Sequence, residues 1–262
     1  MFANPVCDWN ELEAFYKQDF WEEHWPGALS RDPSAVEAAI ARQRAEVALI
    51  REQVPNGKLF EVGSGTGGFL AAAREQGFDV SGIETSPAAV KHSREAYGLE
   101  KVICGSLPQD APGGELFDVV YTWHVIEHVV DLDEFVSSLS ALLTPGGLLW
   151  VGTENYRNAS EYIDRLGHRL RGKPAPFATA SEHTMVFTPD SLSNALERRG
   201  FSVLMAHAYQ PAWAEKRKGM RFRTPFSLLY FLGQHVANAI ADTGPLMRVA
   251  ARKNLSARNI RP

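Results

Sequence analysis

Cysteine is almost missing. Cys7 and Cys104 are the only two in 262 residues, too few and too far apart for a disulfide framework or a zinc site. No apolar run reaches the ~18 residues that span a bilayer, and no basic stretch leads into an apolar one at the N-terminus. Positive charge is not in excess either: a net charge of −4 and a pI of about 6.1 give no global pull toward nucleic acid. Internal repeats and low-complexity tracts are lacking. Together these absences predict a cytoplasmic enzyme with reduced thiols. A content of 45% hydrophobic and 22% charged residues is that of an ordinary globular chain.

What is present is alternation. Short apolar strands are predicted at 58–62, 79–84, 101–104, 117–122, 148–153, 201–208 and 246–252. Helices are predicted at 69–76, 87–97, 132–142 and 191–199. Such a pattern argues for an α/β, doubly wound sheet. A further helix at 35–53, N-capped by Ser34, precedes the first strand. Residues 1–57 read as an N-terminal helical extension, 58–209 as the core, 210–244 as an insert and 245–262 as the last strand and tail. The extension is dense in aromatics between Asp8 and Trp25. The insert joins a basic cluster (Lys216, Arg217, Lys218, Arg221, Arg223) to an apolar helix.

The most telling stretch is the corner after the first strand, Glu61-Val62-Gly63-Ser64-Gly65-Thr66-Gly67-Gly68. Only glycine lets a backbone bend so sharply and lets a ligand approach its amides closely, and the helix that follows aims its N–H groups at the turn. An adenosine-containing cofactor suits such a corner. Gly63, Gly65 and Gly68 match the dinucleotide pattern G-x-G-x-x-G, with Glu84 about 20 residues on, where a ribose-binding acid belongs. Glu61 points the other way. A carboxylate at the strand's carboxyl end repels a diphosphate and favours the ammonium of an amino-acid-bearing nucleoside.

The run Glu61 to Gly67 resembles the first motif of class I S-adenosylmethionine (SAM) dependent methyltransferases, E/D-x-G-x-G-x-G, and the likeness continues in order from about residue 59 to 253. Phe117-Asp118-Val119-Val120-Tyr121-Thr122-Trp123-His124-Val125-Ile126-Glu127-His128-Val129 resembles the fourth motif, in the form found in ubiquinone-biosynthesis O-methyltransferases. The resemblance implies a mostly parallel, seven-stranded sheet whose last strand is antiparallel. It also implies a SAM site formed by Glu61, Gly63, Ser64, Gly65, Thr66 and Gly67, by Glu84, Thr85 and Ser86, by Gly105, Ser106 and Leu107, and by Thr122 and Trp123. Ser106 stands where the family usually has an acid for the adenine amino group. Asp110 is a weaker alternative for that contact.

His124, Glu127 and His128 have i, i+3, i+4 spacing, so one helical face could present all three. One histidine can be the general base for a hydroxyl acceptor. A second reading has the trio hold a divalent ion that acidifies a catechol-like acceptor, and a third has Glu127 and His128 merely fix the loop; no residue is assigned as a metal ligand. His183 opens a segment resembling H-x-x-x-F-T/S-x-x-S-L of the same group and is expected at the mouth of the site, with Asp190 or Ser191 capping the next helix. The expected partner is a small-molecule or lipid-linked acceptor, with a membrane surface as a candidate contact for the insert. The alternatives are a nicotinamide-dinucleotide dehydrogenase and a SAM-binding protein without catalysis.

Overall fold

The computed structural model describes residues 27–158, 168–169, 172, 183–209 and 244–255. The aromatic segment at 8–25 and nearly all of the 210–244 insert lie outside them, with the membrane and lipid-linked contacts expected there.

A seven-stranded sheet organises the rest, in the order β3-β2-β1-β4-β5-β7-β6. Its strands are β1 (Gly57–Val62), β2 (Phe78–Glu84), β3 (Val102–Cys104), β4 (Phe117–Trp123), β5 (Leu143–Glu154), β6 (Phe201–Tyr209) and β7 (Leu246–Lys253). Pairings from β3 through β5 are parallel, while β7 runs antiparallel to both β5 and β6. The strand order reverses at β1 and β4, so a crevice opens beyond their carboxyl ends, where open α/β sheets bind ligands.

Among the described residues, five helices cover the two faces: α1 (Pro33–Gln53), α2 (Gly68–Glu75), α3 (Pro87–Tyr97), α4 (Leu132–Leu142) and α5 (Pro189–Glu197). Alternation along β1 divides the core. Leu59 faces α1 and α2 with Val47, Ile50, Phe69 and Trp150, whereas Phe60 and Val62 face the other layer with Phe117, Leu139 and Phe187. Glu46 ties α1 to the sheet by accepting from Trp150 Nε1 at 2.7 Å and pairing with Arg248 at 3.1 Å.

Local chemistry corrects three boundaries. Asp32, not Ser34, caps α1: its carboxylate accepts from the amides of Ser34 and Ala35, and Pro33 takes the first helical position. Thr188 caps α5 in a reciprocal capping box with Ser191, again with proline next. The run Thr144 to Gly147, which reads as a turn, belongs to β5, and a register shift against β4 absorbs its two glycines.

Candidate active site

The corner between β1 and α2 is built as its glycines require. Gly63, Gly65 and Gly67 have φ of 72°, 51° and 92°. A Cβ on Gly63 would lie 2.4 Å from Val125, and one on Gly67 would lie 2.7 Å from Ser93 and 2.9 Å from Leu99. Gly67→Ala therefore meets both left-handed strain and a collision. It is expected to destabilise the protein by about 1–3 kcal/mol in denaturant unfolding.

Hydrogen bonds fasten the turn to β2. The amides of Gly63 and Ser64 donate to Ile83 O at 2.9 and 3.1 Å, and Gly67 N–H donates to Ser64 O. The first bond within α2 runs from Ala71 N–H to Gly67 O. Amides at the start of α2 are thus left to face a ligand.

Two carboxylates are buried at this corner. Glu84 is 7% exposed; it accepts from Gly65 N–H at 2.8 Å, from Ser86 N–H at 2.9 Å and from the Thr85 hydroxyl at 3.4 Å. Burial raises its pKa against the pull of those bonds. Glu61 is 4% exposed and its Oε2 has no partner. Burial first, and the charge of Glu84 second, drive its pKa well above the usual carboxylate range. A buried acid lacking a counterion fits an incoming cation and opposes a diphosphate.

Beyond β3, Ser106 is buried and its amide donates to Asp110 Oδ2 at 3.0 Å, while Asp110 N–H returns a bond to Ser106 O at 2.8 Å. An acid therefore does stand beside Gly105 and Ser106, supplied from four residues further along. Leu107 is buried next to them. On α1, Arg44 pairs with Glu37 and Glu75, and Arg42 is exposed.

At the end of β4 the structure departs from a helical reading. His124 has φ of 54°, and a turn closed by His128 N–H to Val125 O follows instead of a helix. The trio is therefore split. His124 Nδ1 lies 2.8 Å from Glu127 Oε1, whereas the ring of His128 meets that of His183 edge-on with centroids 4.7 Å apart. Glu127 is 2% exposed and its Oε2 is unpartnered. Burial raises the Glu127 pKa, but the hydrogen bond and charge of His124 and the charge of His128 outweigh it, and the net shift is downward. Burial lowers that of His124, and Glu127, with help from Glu154, more than reverses it. Each shift favours the charged form of its group.

Thr122 is fully buried with its hydroxyl unpartnered, and Trp123 stacks over Tyr121 and meets His124 edge-on. A small cleft opens beside Glu127 and His183, and Thr153, Glu154 and Asn155 from the end of β5 line it with Met185 and Phe187. His183 Nδ1 stands 3.8 Å from Glu154 Oε2. Sequence reasoning missed Thr153, Glu154 and Asn155, although the carboxyl end of β5 is where a parallel sheet offers side chains to a ligand.

Glu127, His128 and His183 each offer a ligand atom within 4.8 Å of the others. Atoms sharing one ion at ~2.1 Å would sit ~3–3.5 Å apart, so this cluster is looser than a loaded metal centre. It would have to contract to bind one.

Comparison with known proteins agrees with this geometry. The model of the methyltransferase domain family matches residues 34–206. A ubiquinone biosynthesis O-methyltransferase from Methylobacterium sp. (strain 4-46) is 25% identical over 231 residues, covering 82% of this chain and 92% of that protein. The protein of the same name from Methylobacterium nodulans is 30% identical over 150 residues, covering 56% of this chain and 60% of that one. Among solved structures, a SAM dependent methyltransferase from Archaeoglobus fulgidus superposes with a TM-score of 0.55 at 17% identity, covering 89% of this chain and 98% of that chain. The [4+2]-cyclase SpnF does so with a TM-score of 0.52 at 18% identity, covering 81% and 82%. With the switch-point crevice, the glycine corner and a buried acid beside it, the chain belongs to the methyltransferase domain family and is a class I SAM-dependent methyltransferase.

Proposed function

We propose that this methyltransferase acts on a hydroxyl oxygen of a small, uncharged acceptor such as a catechol, with His124 as the base and Glu127 holding its imidazole. The observation that carries the reading is the 2.8 Å contact between His124 Nδ1 and Glu127 Oε1. With Nδ1 engaged by a carboxylate, Nε2 is the nitrogen that receives a proton. The names of the relatives point to oxygen as well.

When bound, SAM supplies an activated methyl group on a sulfonium. The protein's own work is then binding, alignment and proton removal. Glu61 takes the cationic end of the cofactor. Glu84, Thr85 and Ser86 form the ribose side, with Gly105, Ser106 and Leu107 at the base and Gly63, Ser64, Gly65, Thr66 and Gly67 beneath. Thr122 and Trp123 form the wall between cofactor and acceptor. Holding acceptor and donor in line contributes several kcal/mol, up to about 7–11 in well-aligned cases, and a positioned base adds roughly 10²–10⁴-fold.

The acceptor's charge follows from the lining. Among the described residues the cleft carries two carboxylates, Glu127 and Glu154, and neither lysine nor arginine. An anionic acceptor would meet two carboxylates and no lysine or arginine among these lining residues. A neutral catechol is expected to exceed its carboxylated analogue in kcat/KM by at least about tenfold, since ~1.4 kcal/mol of repulsion suffices. Equal values for the pair would remove the charge argument.

A second reading rests on the loose Glu127, His128 and His183 cluster, in which a divalent ion acidifies the acceptor. Turnover of labelled SAM with a neutral catechol, before and after chelation and with added Mg²⁺, Mn²⁺ or Zn²⁺, separates the two. Activity that survives chelation supports the histidine base; activity that returns only with metal supports the ion. Cofactor binding without any methylated product would leave a SAM-binding protein, and the fold shared with a cyclase makes that outcome worth testing.

A further inference from the structure

The site is assembled from two chain segments that are far apart in sequence, and one side chain joins them. Glu127 and His128 follow β4, whereas His183 precedes α5. Between the segments, Glu127 O accepts from Thr184 N–H at 2.8 Å and from Met185 N–H at 3.1 Å. The Thr184 hydroxyl lies 2.9 Å from the same carbonyl and 2.6 Å from Val129 O. Thr184 is only 5% exposed.

We propose that Thr184 is a positioning residue of this site: its hydroxyl spans the carbonyls on either side of His128 and so fixes where Glu127 and His128 stand relative to His183. The inference rests on reading this crevice as the acceptor site. The backbone bonds alone pin only Glu127 O. The hydroxyl's single proton, directed to the nearer Val129 O, is what reaches across His128 to the far side of the turn. Without it a buried carbonyl at Val129 is left unpaired, and the turn can relieve that only by moving toward water. His128 sits at the centre of the movement, and Glu127, whose carboxylate holds His124, moves with it. Displacements near 1 Å in a catalytic constellation cost on the order of 10²-fold.

The test compares Thr184→Val, which keeps the shape and loses the hydroxyl, with Thr184→Ser, which restores it. With labelled SAM and a neutral catechol, Thr184→Val is expected to lower kcat about 10–100-fold, while SAM affinity by calorimetry stays within twofold. Thr184→Ser should recover to within about threefold of the parent. Hydrogen exchange, which needs no acceptor, should speed up at 124–130 and 183–187 in Thr184→Val and return to normal in Thr184→Ser, with β1 and β2 unaffected. Parent-like kcat in Thr184→Val, a serine variant no better than valine, or SAM affinity falling in step with turnover would each overturn the proposal. If the parent methylates no catechol, the acceptor reading fails by itself, and the exchange data still decide whether Thr184 holds the two segments together.

Discussion

Glu61→Gln is expected to weaken SAM binding about 100-fold while making the cofactor-free protein more stable. The opposite signs share one cause. In the free protein Glu61 is buried beside Glu84 with Oε2 unpartnered, and its pKa is raised well above 4.5. A carboxyl raised on folding costs stability once the pH passes its unfolded value, and the cost grows until the folded pKa is reached. Replacing it with an amide removes that cost at neutral pH, by about 1 kcal/mol or a rise in Tm of roughly 2–4 °C. The gap between variant and parent should close as the pH falls toward 4.5. In the proposed complex the carboxylate faces a cation, and truncating one partner of a buried charge pair costs about 2–5 kcal/mol. Calorimetric titration and thermal unfolding of both proteins check the two halves. A variant less stable at neutral pH, or one binding SAM like the parent, would mean Glu61 is an ordinary structural acid.

His124→Gln is expected to lower kcat by about 10²–10³-fold with SAM affinity unchanged, because it removes the proposed base and leaves the cofactor side intact. Glu127→Gln should cost less at high pH but shift the profile. As a base His124 must be neutral, and Glu127 together with Glu154 outweighs burial to raise its pKa above 6.5. The acid limb of kcat in the parent therefore lies above 6.5, and activity climbs as the pH rises through it. Removing the Glu127 charge lets the limb fall to lower pH. The His124 ring is 39% exposed, so solvent screens part of the pairing and the displacement is modest. Full activity in His124→Gln, or a Glu127→Gln profile with its acid limb unmoved, would exclude the dyad.

Most of the fold was legible because its signals are local. Apolar runs of strand length, proline at first helical positions and glycines needing positive φ all act within a few residues. The glycine corner was legible for the same reason: Glu61 and its glycines form one contiguous turn. The acceptor side was not. His124, Glu127 and His128 have helical spacing, yet a left-handed φ at His124 breaks the helix and sends His128 to a partner 55 residues away. Thr184 carries no motif of its own; its role exists only once the segment before α5 docks on the turn after β4. Asp110 likewise reaches Ser106 through a turn that spacing does not encode.

Calorimetric titration of the purified protein with SAM and with NAD, in buffers of differing ionisation enthalpy near neutral pH, tests the central electrostatic claim most directly. SAM is expected to bind at micromolar concentrations with a release of protons that grows as the pH is lowered, as Glu61 ionises against the incoming cation, while NAD gives no heat of binding. Tight capture of NAD with SAM ignored, or SAM uptake with no proton exchanged as the pH is lowered, would contradict it.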